Sequence, residues 1–572
     1  MRELRGRSVP ALTLGLLLCL LYSVIFSGQV LGFLGIYNLW VALPLVLLTF
    51  GGSLYLYVKS SATIDSSTTI SPKLDLFFGL CATALILIIV AIPLILWPAS
   101  PAGKTLTWDA GLYHFPKAVE LFRTGSMWGM NVCYAEYPLG YESFLSFTLL
   151  LTGSPALFGL GHFLFALFLI TALWALARRT TSLPSGMLLL GIIIILLSGF
   201  FNNDTNPWWI YEPLLFTVGK NDLFQGAAVL AVLVFVPFTT ARDEESQWNP
   251  VGFALASMVA FSIKPNSLII LPLWGLAFWQ LWKESANHKE FFKKALWISA
   301  AALPGLLWIP RNLAALHTLF TSPALKLSGW SIVSNLTNPN LYQHIPVYLY
   351  FFLGVTGGIL LLALLRKRIT LLAALTLFAL LVGFAVTPAS AFHGSTAGRA
   401  EIAWRFTIAF ISYALILLLT VVSPTLRKLI EWASRYWVGL AALVLVGLAA
   451  SSFFLWRMRQ QVRPVPQNEI ILHDQFEQPV GVDGYDSAYD YARQNIRNSA
   501  IIVDNGLPFY AYDIGFTNST GCSGHADYFI VFNTDWDKLE PDDYPEYIST
   551  SSWKQDWDVV YEDSYSRVYK RR

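Results

Sequence analysis

About thirteen apolar runs, each near the ~20 residues that cross a bilayer, alternate with polar connectors along this chain. They fall near 10–29, 34–57, 75–97, 155–177, 183–201, 222–240, 250–263, 266–282, 294–312, 345–365, 370–388, 403–423 and 437–456. The segments at 250–263 and 266–282 are closely coupled, divided around Lys264-Pro265. The pattern predicts an α-helical polytopic membrane protein. Arg2, Arg5 and Arg7 ahead of the first run resemble the start of a signal peptide. No small-residue cleavage site follows, so the first run is read as an uncleaved span.

Basic residues mark every second connector: Lys59 and Lys73, Arg178 and Arg179, Arg242, Lys283 to Lys294, Arg366 to Arg368, then Arg427, Lys428 and Arg435. By the positive-inside rule these connectors and the N-terminus are cytoplasmic. The intervening loops, and everything after the last span, are then extracytoplasmic. From residue 457 the composition becomes that of a soluble domain. Ser487 to Asn498 has a helical pattern, while 501–503, 528–532, 559–561 and 567–569 read as strands. The predicted organisation is a membrane domain over 1–456, with a first large outer loop at 98–154, and a small extracytoplasmic α/β domain over 457–572.

Composition agrees with this reading. Of the 572 residues 55% are hydrophobic and 13% charged, against about 25% charged in soluble domains. The net charge of +2 gives no reason to expect nucleic acid as a partner. Cys19 and Cys81 lie inside apolar runs and read as packing residues, whereas Cys133 and Cys522 share the outer side, where a disulfide can form. Sequons at Asn203, Asn335 and Asn518 are few enough to arise by chance.

Chemistry concentrates in the outer loops. Thr107 to Pro116 packs Asp109, Tyr113 and His114 among aromatics directly after a span. A short helix follows from Pro116 to Gly125, with proline in its first turn and glycine at its end. Its apolar side (Ala118, Val119, Leu121, Phe122) is suited to lie on the bilayer surface. Glu136, Tyr137 and Glu142 add two carboxylates in an aromatic setting, and Lys220 and Asp222 close the loop at 202–221. The outer cations at span ends are Lys220, Lys264, Arg311, Arg399 and Arg405.

A membrane-embedded sugar transfer from a lipid phosphate needs one general base for the acceptor hydroxyl and fixed positive charge for the departing phosphate. A glycoside hydrolase needs two carboxyls flanking the bond instead. Plainer roles compete throughout. Asp109 also suits a solvated loop acid or helix cap, Asp222 a helix N-terminus favoured by the dipole, and the cations snorkelling to the interface.

Several of these segments, taken in order, resemble the GT-C superfamily of polyprenyl-phosphate-dependent glycosyltransferases, bacterial members akin to protein mannosyltransferases and aminoarabinose transferase. They are Trp108-Asp109 with Tyr113-His114, Tyr137 to Glu142, Lys220-Asn221-Asp222-Leu223, Lys264-Pro265-Asn266, Trp308 to Asn312, and Trp404-Arg405-Phe406. The resemblance covers about residues 75–425. It implies a polyprenyl-phosphate-sugar donor, Asp109 as catalytic base, and Arg311 and Arg405 as phosphate contacts. Tyr113, His114, Glu136, Tyr137, Glu142, Lys220, Asp222, Lys264 and Arg399 would line the substrate site. The acceptor would be a lipid, glycan or protein, and the setting the bacterial inner membrane. Some members hold a divalent metal ion, for which His114, Glu136, Glu142 and His393 are the candidate ligands. The sequence departs from the family where paired acids are expected, since Ala110 follows Asp109. Rival readings are a lipid-linked glycan ligase or polymerase, a transporter, and a non-catalytic assembly subunit. The lack of a convincing mid-bilayer ionisable residue speaks against the transporter.

Overall fold

The computed structural model describes residues 9–60, 72–91, 110–153, 157–197, 218–236, 248–317, 347–386 and 408–433, a few single positions within them excepted, with isolated positions between and short segments after 433. The chain is largely helical. In order the helices are α1 (Val9–Leu34), α2 (Leu39–Ser60), α3 (Pro72–Leu85), α4 (Phe115–Thr124), α5 (Gly140–Thr152), α6 (Phe158–Thr180), α7 (Ser185–Leu197) and α8 (Asp222–Phe235). They continue with α9 (Pro250–Ile263), α10 (Leu271–Glu284), α11 (His288–Ala302), α12 (Trp308–Ala315), α13 (Val347–Leu365), α14 (Leu371–Val386) and α15 (Ile408–Ala433). Among the described residues five helices are long and apolar enough to cross a membrane, or six if the bent pair 288–306 and 308–315 counts as one span. Shorter apolar helices, α7, α8 and α9 among them, lie at other predicted spans. This is an integral membrane protein, as the apolar runs predict.

Helix α1 is apolar on every side, and such a helix belongs in the middle of a bundle. Its small residues set how closely its neighbours approach. A Cβ on Gly28 would stand 2.4 Å from Cβ of Ser143 in α5, and one on Gly32 would stand 3.1 Å from Leu121 in α4. These two glycines, four residues apart, share one helix face. Gln29 Nε2 donates to Ser143 Oγ across the same contact, at 3.1 Å. Helix α8 is buried along its whole length, stacked on α6 through Phe224 and Phe165, whose ring centroids are 4.0 Å apart.

The break at Lys264-Pro265 is present. Lys264 is extended, as the residue before proline prefers, and a 3₁₀ turn (Pro265–Ile270) then leads into α10. The span predicted near 294–312 is instead bent by 46° between 288–306 and 308–315. Pro304 and Pro310 interrupt the hydrogen-bond ladder there. Cys19 and Cys81 are buried free thiols, as expected of packing residues.

Helices α3 and α7 cross at Gly186, whose N–H donates to Asp75 Oδ1 at 2.6 Å. A Cβ there would lie 2.1 Å from the Asp75 carbonyl oxygen. Gly186→Ala is therefore expected to destabilise the bundle by roughly 1–3 kcal/mol through overpacking. The check is the unfolding midpoint in detergent, and an unchanged midpoint would contradict so tight a crossing.

Near the C-terminus a four-stranded sheet has the order β3-β4-β6-β5, with β3 (Ile501–Val503), β4 (Tyr528–Val531), β5 (Trp557–Glu562) and β6 (Arg567–Arg571). β3 pairs parallel with β4, and the other two pairings are antiparallel. A two-stranded ladder of β1 (Leu472–His473) and β2 (Pro479–Val480) precedes it. The described residues between 488 and 495 are helical, with Ala488, Ala492 and Ile496 buried at four-residue spacing. All four predicted strands are present.

Candidate active site

Asp109, His393, Arg399 and Arg405, with Cys133, Cys522 and the three sequons, lie outside the described residues. The other candidate residues are all described, and most of them meet at one set of helix ends.

The turn Ala110–His114, directly after Asp109, has π-helical geometry and runs into α4. Helix α4 ends at Gly125, left-handed at φ 66°, whose N–H donates to the Leu121 carbonyl. Part of its apolar side packs inward: Ala118 and Leu121 are fully buried, Leu121 against Gly32 of α1, while Val119 and Phe122 are half-buried. That face also carries Lys117, with no exposed side-chain surface. Lys117 stands one turn before Leu121, so α4 brings both to the same side.

Lys117 is at the centre of a buried ionic cluster. Its Nζ lies 3.3 Å from Glu142 Oε1, and the same oxygen is 2.6 Å from His114 Nδ1. The ammonium also donates to the Tyr134 carbonyl at 3.3 Å and sits 5.4 Å from the ring centroid of Tyr113 and 5.7 Å from that of Tyr137. Tyr134 holds a left-handed backbone, φ 52°, uncommon for a residue with a Cβ, and stacks on Tyr137. Burial pushes the Lys117 ammonium below its ordinary range. Burial would raise the Glu142 carboxyl, but Lys117 and then His114 outweigh it and hold Glu142 ionised, below the usual carboxylate range.

The second centre is the turn before α8. Gly219 is left-handed at φ 99°, and a Cβ on it would lie 2.2 Å from Cβ of Ala110, so this turn rests on the residue next to Asp109. Lys220 and Asn221 are buried beside it. Asp222 opens α8 and forms an ion pair with Lys264 at the end of α9. Both readings of Asp222, second acid and helix N-terminus, thus meet in one residue. Lys264 does not snorkel, because its charge is spent on that acid.

The third centre is α12. Arg311 is 2% exposed; its Nη2 donates to the Ala135 carbonyl at 2.5 Å and its Nε to Asn312 Oδ1 at 2.9 Å. Asn312 Nδ2 donates to the Glu136 carbonyl at 2.7 Å. Arg311 therefore braces the 134–137 turn instead of reaching the lipid interface. Trp308 ties α12 to α9 through a hydrogen bond to the Phe261 carbonyl, 3.1 Å. Helix α15 begins against α8: a Cβ on Gly226 would stand 2.6 Å from Ile408. Arg405 is three residues earlier, a reach of about 10 Å.

Among the described residues no three of His, Cys, Asp and Glu are grouped to hold a metal ion. Of the candidate ligands, His114 and Glu142 are turned toward each other, and Lys117 shares the Glu142 oxygen. A lysine on the coordinating atom does not suit a cation, so no step is assigned to a metal. Sequence reasoning passed over Lys117, Tyr134, Tyr141 and Gly219. The lysine had a legible signal, its place on the apolar stripe of α4; the glycine had none without the fold.

No protein-family model matches this sequence, and a search of the curated proteins found no match. Among solved structures the chain is similar to ArnT from Cupriavidus metallidurans bound to undecaprenyl phosphate. The identity is 15%, over 85% of this chain and 98% of that one, with a TM-score of 0.45. A likeness of that degree carries no argument about chemistry, which rests on the residues themselves.

Proposed function

We propose that the chain is an inverting glycosyltransferase that moves a sugar from a polyprenyl-phosphate donor to an acceptor on the extracytoplasmic face of a bacterial inner membrane. The observation that carries this reading is the contact of Gly219 with Ala110. It seats the turn that follows Asp109 on the segment bearing Lys220 and Asp222, the latter paired with Lys264. Single-displacement transfer from a lipid phosphate requires an acid and fixed positive charge together, and this contact supports that reading.

In this mechanism Asp109 takes the proton of the acceptor hydroxyl as its oxygen attacks the anomeric carbon. The bond to the lipid phosphate breaks, and the phosphate departs as an anion that needs no acid. One displacement inverts the configuration. The cations are unequally available to that phosphate: Lys117 and Lys264 are each paired with a carboxylate, and Arg311 is bonded to backbone. The reading assigns the phosphate to Arg405, with Lys220 and Arg399 as supporting charges. Tyr113 and Tyr137 border the acceptor cleft. The domain division at 456/457 and the placement of residues 457–572 outside the membrane belong to the same proposal.

The test is reconstitution in liposomes with a panel of radiolabelled polyprenyl-phosphate sugars, comparing wild type with Asp109→Asn. Transfer or slow donor hydrolysis by wild type, lost in the variant while donor still binds, is expected. Activity that survives Asp109→Asn would move the assignment to a ligase-type mechanism, and absence of donor binding in both would sink the enzyme reading. Arg405→Gln is expected to raise the donor KM as well as lower kcat, since a bidentate contact is lost from bound donor and leaving phosphate alike. A KM equal to wild type would remove Arg405 from the donor site.

A further inference from the structure

Tyr141 and Glu142, adjacent residues in the first turn of α5, are both fully buried, in a helix otherwise rich in apolar side chains. Neither side chain has surface with which to touch a ligand. Each instead reaches one end of the Ala110–His114 turn. The Tyr141 hydroxyl accepts from the Gly219 N–H at 3.1 Å, and Gly219 is the residue pressed on Ala110. Glu142 accepts from His114 Nδ1 at 2.6 Å, and the His114 ring also packs on Tyr141, centroids 5.1 Å apart.

Helix α5 is itself firmly seated. A Cβ on Gly140 would lie 2.6 Å from the Ser262 carbonyl oxygen of α9, and Ser143 meets Gly28 of α1. The turn it holds is a single π-helical turn, a geometry that recurs at functional sites and needs outside support. Asp109 is one peptide from Ala110, a Cα separation of about 3.8 Å.

We propose that Tyr141 and Glu142 are the positioning residues of this turn: one fixes its entry through Gly219, the other its exit through His114, so that α5 holds the turn that directly follows Asp109. The proposal rests on the reading of Asp109 as the base. It explains why two polar side chains are buried side by side where apolar ones would pack without needing partners.

Three variants test it. Tyr141→Phe removes the acceptor for Gly219, and His114→Phe keeps a ring against Tyr141 but removes the donor to Glu142. His114→Asn retains an amide N–H near the place of Nδ1. Hydrogen exchange of peptides covering 110–118 is expected to quicken in both Phe variants while α6 and α8 peptides are unchanged. In the liposome assay kcat should fall about 10–100-fold, the scale of a small misplacement of a reacting group, with donor KM nearly constant. His114→Asn should recover most of both. Unchanged exchange at 110–118 overturns the proposal, as does loosening that spreads equally to α6 and α8, or a His114→Asn as impaired as His114→Phe. A local exchange effect in a wild type that transfers no sugar upholds the clamp and overturns the transferase reading instead.

Discussion

Asp109→Asn should lower sugar transfer by about 10²–10⁴-fold, the usual contribution of a positioned general base. Asparagine keeps the shape of the side chain and its capacity to accept a hydrogen bond, but cannot take the proton of an acceptor hydroxyl. The loss should appear in kcat and kcat/KM together, because deprotonation occurs only on the way to the transition state. Donor binding should persist, since the proposal gives the phosphate to cations that the substitution does not touch. Single-turnover transfer in proteoliposomes, with donor binding measured separately, decides the matter. A fall confined to KM would make Asp109 a binding residue and leave the base to be sought at Asp222. That second acid is already paired with Lys264.

Lys117→Met should destabilise the protein by about 3–5 kcal/mol, the cost of leaving one partner of a buried ion pair without the other. Methionine fills much the same space, so lost packing adds little. What remains is the Glu142 carboxylate bonded to His114, both buried. The double variant Lys117→Met/Glu142→Gln, with the charge removed from both sides, should recover most of the loss. Unfolding in mixed micelles gives the three stabilities; a single variant as stable as wild type would show that the pair carries little weight.

The pH dependence has a definite sign. In wild type the Glu142 carboxyl is held below its ordinary range, because Lys117 and His114 outweigh the opposing effect of burial. Its contribution to stability is therefore present above the unfolded carboxylate pKa and lost as pH falls through the folded one. Without Lys117 the largest effect opposing burial is lost, and the carboxyl's pKa moves up. A raised acid favours the folded state at low pH and disfavours it as pH climbs. The deficit of Lys117→Met should thus be largest at neutral pH and shrink on acidification, while wild type loses stability over the same interval. A deficit independent of pH would exclude an ionised Glu142.

Much of the architecture was legible because it depends on composition and local stereochemistry. Uninterrupted apolar runs specify membrane helices wherever they stand. Proline at 265 breaks the ladder, and Gly125 ends α4 through a left-handed residue that a side chain would strain. Strand segments such as 528–531 and 567–571 were readable from their β-branched and aromatic residues. The candidate residues were legible as chemical types: Tyr113, His114, Glu136, Tyr137, Glu142, Lys220, Asp222, Lys264 and Arg311 come from separate segments, and together they suggested one function. Their pairing was not legible. An isolated basic residue near a span end reads equally as a snorkelling side chain, and Lys264 differs from one only because α9 delivers it to Asp222.

The sequence by itself determined that this is a helical membrane protein, that a helix ends at Lys264-Pro265, and which segments carry polar chemistry, since hydropathy and proline act within a few residues. Tertiary structure decided which charges neutralise one another, that α4 packs inward with Lys117 on its buried face, and that Gly219 lies on Ala110. Those contacts join residues tens to hundreds of positions apart. Their energies depend on burial and on distances of a few ångströms, quantities that only the packed chain defines.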